Sequence, residues 1–348
     1  MDNTKIAGIR LLNHQLSGTD YTTPRQIVAH FGIMQAQDFN SVKWAIGVRL
    51  RECTEESIEE SFNRGEILRT HVLRPTWHFI TSENIRWMLQ LSAKRILQSM
   101  KSRDRELGLT DEIYGKCYRI IEKTLEKEDC ATREELTKIL YDAGVKLDSS
   151  QIYHIIAGAE ATGIICSGAL REKKHTYALL GKRVPAIKPL TKEESLAKLA
   201  RMYFMGHGPA ALPDFVWWSG LSVGEARQGL ESVRAELISE TIDGQKYWMP
   251  DTGSRPLTGK SELYLLPAFD EYIVGYKDRT AVITSENHRK AISSNGVFRP
   301  VMIKDGKVIG LWKKATSGKR AIVIEPFEAI DRATQKLIDA ACVPYHSK

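Results

Sequence analysis

The feature that most limits what this chain can become is a pattern that occurs twice. Three helix-spaced apolar runs are followed by two short strand-like runs, first from Asp111 and again from Thr191. In the first copy Ile113, Cys117, Ile120, Ile121 and Leu125 mark one helix face. Thr132-Arg133-Glu134-Glu135 then reads as a capping box, in which the Thr132 hydroxyl and the Glu135 carboxylate each satisfy an orphan amide; Leu136, Ile139, Leu140 and Ala143 form the stripe behind it, up to Gly144. Ser149 or Ser150 is placed to cap a third helix with Ile152, Ile155, Ile156 and Ala159 inward, ended by Gly163. Residues 164–166 and 176–180 have strand character, and the polar connection between them carries a basic tip: Arg171, Lys173, Lys174 and His175. Three helices, the last two tightly linked, and then a hairpin is the order of a winged helix.

In the second copy Leu196, Leu199, Ala200, Tyr203 and Phe204 share a helix face, residues 212–218 make a short apolar helix, and Val223, Ala226, Leu230, Val233 and Leu237 hold helical spacing. Residues 238–242 and 246–249 then pair across Asp243-Gly244, a dipeptide suited to positive φ in a two-residue turn. A third, more elaborate copy fits the N-terminal stretch. Ile6, Ile9, Leu12 and Leu16 give one helix, Thr23-Pro24 opens another through Ile27, Val28 and Phe31, helices follow over 41–50 and 54–63, and 67–73 and 76–81 are strand-like. Ser82 is placed to cap a long helix joining this part to the next. Near the other end 262–266, 301–303, 307–312 and 320–324 read as strands, with Asp305-Gly306 as a second hairpin turn. The expected fold is mainly α with β-hairpins, an α+β class of tandem winged-helix units. It divides into 1–108, 109–188, 189–252 and a β-rich part over 253–348.

Composition narrows the function. A net charge of +7 is compatible with a polyanionic partner, since lysines and arginines that neutralise phosphates release condensed counterions. Five scattered cysteines without a Cys-x-x-Cys pair argue against a zinc knuckle and a disulfide framework, and the nine histidines include no His-Glu-x-x-His. Gly-x-Gly-x-x-Gly and Walker A loops are absent, so nothing demands a cofactor or metal. With no long apolar run and no signal-peptide pattern at Met1-Asp2-Asn3-Thr4-Lys5, a cytosolic protein is expected. Stacked units on one chain could contact phosphates along one duplex without a palindromic site, which suits a monomer on double-stranded DNA. Lys277, Arg279 and the loop of Lys313, Lys314, Lys319 and Arg320 add candidate phosphate contacts.

One stretch could carry chemistry. In Met34-Gln35-Ala36-Gln37-Asp38 the two glutamine side chains point to one side if the backbone is extended, but lie about 200° apart on a helix. Each amide offers a donor and an acceptor, so an extended pair could hold a water and a sugar or base oxygen together. A glutamine is no base near neutral pH. Such a site suits a bond already close to breaking, as in an N7-alkylated purine, whose positive charge makes the base a good leaving group. The alternative is that Gln35 and Gln37 satisfy backbone groups at a helix junction. Asp38 is either a nearby base or the cap of the following helix. Arg69, His71, Arg74 and His78 give a polar face that either lines a cleft or forms a salt-bridged sheet surface, and Trp77 either stacks on a base or packs inside. Asp270, beside Glu271, either orders a loop through an ion pair of the Asp270–Arg279 type that presents Lys277 to phosphate or belongs to a purely structural loop.

Four stretches together resemble the AlkZ and YcaQ type winged-helix DNA glycosylases: Met34–Asp38 with Trp44-Ala-Ile-Gly47, Arg69-Thr-His-Val-Leu-Arg-Pro-Thr-Trp-His78, Leu265-Leu-Pro-Ala-Phe-Asp270, and Gly275-Tyr-Lys-Asp-Arg279. The resemblance implies three winged-helix units in a C-shaped molecule and a catalytic Gln-x-Gln motif at Gln35 and Gln37. It also implies a monofunctional glycosylase, without a lyase step, for N7-alkylated purines, in some members including interstrand crosslinks. A YcaQ-type subgroup has a carboxylate at the second motif position, so Gln37 puts this chain nearer the AlkZ-like side. The competing class is a non-catalytic DNA-binding protein or transcriptional regulator.

Overall fold

The computed structural model of the chain describes residues 2–251, 261–315 and 322–346, the side chains of 343–346 excepted. Helix α1 (Asn3–Asn13) leads into α2 (Pro24–Phe31), β1 (Ile33–Gln35), α3 (Phe39–Gly47), α4 (Glu55–Asn63), β2 (Ile67–His71) and β3 (Trp77–Thr81). After α5 (Ser82–Glu106) come α6 (Asp111–Lys127), β4 (Ala131–Thr132), α7 (Arg133–Asp142), α8 (Ser149–Ala161), β5 (Ile165–Ser167), β6 (Thr176–Leu179) and the short α9 (Leu180–Arg183). The order then returns as α10 (Lys192–His207), β7 (Ala210–Ala211), α11 (Leu212–Ser219), α12 (Val223–Val233), β8 (Leu237–Ile242) and β9 (Gln245–Pro250). Last are β10 (Leu263–Leu266), α13 (Glu271–Val274), α14 (Ser285–Ala291), β11 (Val301–Lys304), β12 (Lys307–Lys314), β13 (Ile322–Pro326) and α15 (Arg332–His346).

Helix, short strand, helix, helix, hairpin thus occurs three times, and each time the short strand joins the hairpin's second strand: β1-β3-β2, β4-β6-β5 and β7-β9-β8. All pairings are antiparallel. The sequence reading located the helices and hairpins but not the short strands. It also misplaced two caps. Helix α8 is capped by Asp148, whose carboxylate accepts from the amides of Ser150 and Gln151, because a carboxylate one position earlier reaches both orphan donors. At α5 the N-cap is Thr81, with no side-chain cap bond. A fourth sheet, β10-β11-β12-β13, makes the C-terminal part β-rich.

Contacts divide the chain into two compact units: Met1–Phe31, Asp38–Cys53 and Leu196–Lys348 form one, Gly32–Gln37 and Thr54–Ser195 the other. In the second unit the stripes of α6, α7 and α8 meet as Cys117, Ile121, Leu125, Leu136, Leu140, Ile152 and Ile155, all buried. Each aliphatic side chain of that size contributes roughly 1.5–3 kcal/mol on full burial. In the first unit Ile6, Leu11, Tyr272, Ile273, Val301 and Ile303 are among the core residues of α1, α13 and the four-stranded sheet. Arg49 and Asp270 form a bidentate pair there at 2.8 and 2.7 Å, with both side chains fully buried. Among the described residues no helix is long and apolar enough to cross a membrane, and no His/Cys/Asp/Glu cluster is placed to hold a metal.

Candidate DNA-processing site

The backbone through Gln35 is extended. Gln35 lies opposite His78 in the β1–β3 ladder, and the pairing runs one residue further, with the Ala36 amide donating to the Trp77 carbonyl at 2.8 Å. Ala36 is wholly buried, Gln35 is half-buried and Gln37 exposed, the alternation expected when residues two apart share one side. Of the two geometries open to the motif, the structure takes the one that puts both glutamines on one face. In the other two repeats the short strand passes straight into its helix, Thr132 and Ala211 serving as N-caps. In the first repeat Ala36, Gln37 and Asp38 intervene between strand and helix. Asp38 does the capping, its Oδ1 accepting from the Ser41 amide at 2.7 Å.

Register sorts the polar residues onto two faces, correcting the expectation of one. Thr70 pairs with His78, and His71 with Trp77. Residues directly opposite in an antiparallel pair project to the same side. Gln35 and His78 therefore belong to one face, with Gln37 and Thr76 bonded to each other just past the ends of the paired strands, whereas Arg69, His71 and Trp77 belong to the other. On the glutamine face Thr76 Oγ1 donates to Gln37 Oε1 (2.8 Å), and Arg74 Nη2 lies 3.5 Å from Gln35 Oε1 and donates to His78 Nε2 at 3.0 Å. An arginine cannot accept, so His78 carries its proton on Nδ1, which donates to the Thr76 carbonyl at 3.0 Å. Burial, then the Arg74 charge, hold the His78 imidazole well below its ordinary range. Leu73, in the turn before Arg74, has φ 60, a left-handed conformation that is strained for a bulky residue.

On the opposite face Arg69 ties the motif down through its backbone. Its Nε donates to the Ala36 carbonyl (2.8 Å), its Nη2 to the Gln37 carbonyl (3.1 Å), and its guanidinium lies 4.3 Å from the Trp77 ring centre. His71 is buried, with Nδ1 donating to Glu160 Oε2 at 2.5 Å and Nε2 3.2 Å from the Tyr153 hydroxyl. Trp77 is half-buried beside His71 and Tyr153. Thr76, Tyr153 and Glu160 escaped the sequence reading. Thr76 sits within the Arg69–His78 stretch without a sequence signal of its own, and the other two sit on α8, brought in by tertiary packing.

The candidate phosphate contacts fare unevenly. Between β5 and β6, Glu172 and Lys173 both take positive φ, making a tight tip that leaves Arg171, Lys173 and Lys174 exposed and His175 half-buried. Arg171 is paired with Glu135. Asp270 does not pair with Arg279: it caps α13 by accepting from the Tyr272 amide and is neutralised by Arg49. Arg279 instead turns inward, donating to the carbonyls of Ile273 and Lys277, with aromatic rings of Trp217 and Phe298 within 5.5 and 5.0 Å. Burial brings its pKa down to about 10. Lys277 does reach the surface. Lys313 is exposed and bound to Glu325 at 2.6 Å, Lys314 lies 5.3 Å from the Trp44 ring, and Lys319 and Arg320 lie outside the described residues.

These observations meet the comparisons at one point. A chain solved as Streptomyces sahachiroi DNA glycosylase AlkZ superposes with a TM-score of 0.82 over 100% of this chain and 97% of that one, at 21% identity, so the two share a fold. A Streptomyces sahachiroi protein named "Interstrand DNA cross-link repair glycosylase" is 24% identical over 323 residues, 88% of this chain and 85% of the relative. The family described as "DNA glycosylase AlkZ-like" matches residues 28–346, a span that holds the glutamine motif, all three hairpins and the C-terminal sheet, and the chain belongs to that family.

Proposed function

We propose that this protein is a DNA glycosylase that binds duplex DNA and hydrolyses the N-glycosidic bond of N7-alkylated purines, including those joined in interstrand crosslinks, using water positioned by Gln35 and Gln37. The observation that carries the reading is the extended Gln35-Ala36-Gln37 segment, with both amides on one face and its backbone clamped by Arg69. The name of the Streptomyces relative supports crosslinks as part of the range.

A cationic N7-alkylpurine leaves readily. The C1′–N9 bond breaks with its electron pair going to N9, giving a neutral free base and an oxocarbenium-like sugar. A water oxygen then bonds to C1′ and loses its proton to solvent, leaving an abasic site. Gln37 Oε1 accepts from Thr76 through one lone pair and retains a second for a water proton, aiming the water's own lone pair at the sugar. Gln35, on the same face, contributes fixed amide dipoles toward the developing charge. The hydrolysis calls on no lysine nucleophile, so the enzyme is monofunctional.

Purified protein mixed with a duplex containing one N7-methylguanine tests this. Free base is released, and Gln37→Ala slows release by roughly a hundredfold or more, the usual effect of removing one preorganised polar group from such a site. Binding to duplex without any release would instead make this a non-catalytic DNA-binding protein.

A further inference from the structure

The sheet that presents the glutamines has a second face, and a cleft of about 450 Å³ opens on it. That lies within the roughly 300–1,000 Å³ common for small-ligand sites. Its walls come from three parts of the same unit: Arg69 and Trp77 from the first repeat's hairpin, Arg133 and Tyr153 from α7 and α8, and Lys173 and Lys174 from the tip between β5 and β6. Trp77 and Tyr153, both half-buried, have ring centroids 5.6 Å apart at 79°, so they make a corner with two aromatic walls at right angles. Four cations face one carboxylate, Glu134, around this corner. Arg133, Lys173 and Lys174 have no ion-pair partner among the described residues. The corner is held from behind, because the buried His71–Glu160 pair touches Tyr153 through His71 Nε2 and the His71 ring lies 4.6 Å from Trp77.

A flat aromatic corner rimmed by four cations, three of them without an ion-pair partner among the described residues, matches a ligand with a flat ring at one end and an anion at the other. We infer that this cleft is a nucleotide subsite, separate from the glutamine face, that takes one unpaired nucleotide of the DNA, its base against Trp77 and Tyr153 and its phosphate against Arg133 and Lys174. This rests on the reading of the chain as a DNA-processing protein. It adds a place for a nucleotide displaced from the stack, on the side of the sheet away from the glutamines. Arg69 links the two faces, since the same guanidinium borders the cleft and holds the Ala36 and Gln37 carbonyls.

The test needs no lesion and no catalysis. Two undamaged duplexes of the same sequence are compared by fluorescence anisotropy, one fully paired and one carrying a single bulged 2-aminopurine nucleotide. The intact protein is expected to favour the bulged duplex about tenfold, in line with what one stacked base contributes. The 2-aminopurine emission should be quenched on binding as the base meets the aromatic corner. Tyr153→Ala should bring the ratio of the two affinities to near one. Arg133→Gln, which removes the guanidinium that also donates to the Ser149 carbonyl, should lower it severalfold, and thermal melting identifies any variant that has lost its fold. Equal affinity of the intact protein for the two duplexes overturns the proposal, as does a ratio unchanged in both variants, which would make the cleft a plain phosphate contact. A protein that prefers the bulge but releases no base would overturn the glycosylase reading and leave the subsite standing. One that releases base without the preference would do the reverse.

Discussion

Thr76→Val gives the sharpest measure of how the glutamine face is built. Valine keeps the shape and removes the hydroxyl that donates to Gln37 Oε1 at 2.8 Å, while the Arg69 clamp on the backbone carbonyls of Ala36 and Gln37 stays in place. A neutral hydrogen bond contributes about 0.5–1.5 kcal/mol net, and the partial exposure of Thr76 and Gln37 puts this one in the lower half of that range. At roughly 0.5–1 kcal/mol, the rate of base release falls about two- to fivefold. The assay is single-turnover release from an N7-methylguanine duplex at saturating enzyme, so that the change falls on the chemical step and not on KM. Thr76→Ser should restore most of the rate. The double variant Thr76→Val/Gln37→Ala should be no slower than Gln37→Ala, because Thr76 acts only through the glutamine. A further drop of the same two- to fivefold in the double variant would show the two residues acting independently and refute the positioning role.

Other expectations concern the supports of the fold and its charge. Asp270→Ala leaves the Arg49 guanidinium buried without its carboxylate, and urea unfolding should show a loss of roughly 3–5 kcal/mol; normal stability with lost base release would instead place Asp270 in the chemistry. Burial pushes the His30 imidazole down to about 4, below the roughly 6.5 of an unfolded chain, so its contribution is complete above about pH 6.5 and is lost as pH falls toward 4. At pH 5 that amounts to about 2 kcal/mol, at ~1.36 kcal/mol per pKa unit, and His30→Asn should reduce the acid sensitivity of unfolding by that much; identical pH profiles would count against it. Replacing Lys173 and Lys174 with alanine should lower the salt slope of duplex binding by about 2, at close to 0.9 per phosphate contact. An unchanged slope would remove the tip from the DNA contact.

Local rules made the helices and hairpins of all three repeats legible. The Thr132–Glu135 capping box, the Asp243-Gly244 turn and the apolar stripes each depend on residues a few positions apart. The short strands were not legible. Ala131-Thr132 and Ala210-Ala211 are two residues long and owe their strand character to a partner hairpin about 40 residues away. The same blindness misjudged the polar residues of the first hairpin. Arg69, His71, Arg74 and His78 look like one alternating face until the register of Thr70 against His78 is known, and then they separate. Asp270 and Arg279 are close in sequence and opposite in charge, yet Arg49 from α3's end takes the carboxylate. Buried ion pairs are chosen by packing, which a single sequence does not display.

The comparison of the three repeats explains why chemistry would be lodged in the first. In the second and third, the last residue of the short strand is itself the N-cap of the next helix, so no residue lies between strand and helix. In the first, Asp38 takes over the capping, and the three residues before it are free of that duty. Ala36 goes on pairing with β3 and buries its methyl, which fixes the chain direction and forces Gln35 and Gln37 to the same side. The lengthened junction therefore places one amide on the edge strand of the sheet, at Gln35, and the other just past its end, at Gln37. Deleting Ala36 would turn Gln37 to the buried side of the sheet. That change should abolish base release even though both glutamines remain in the sequence, which is what a site defined by register, and not by residue type alone, requires.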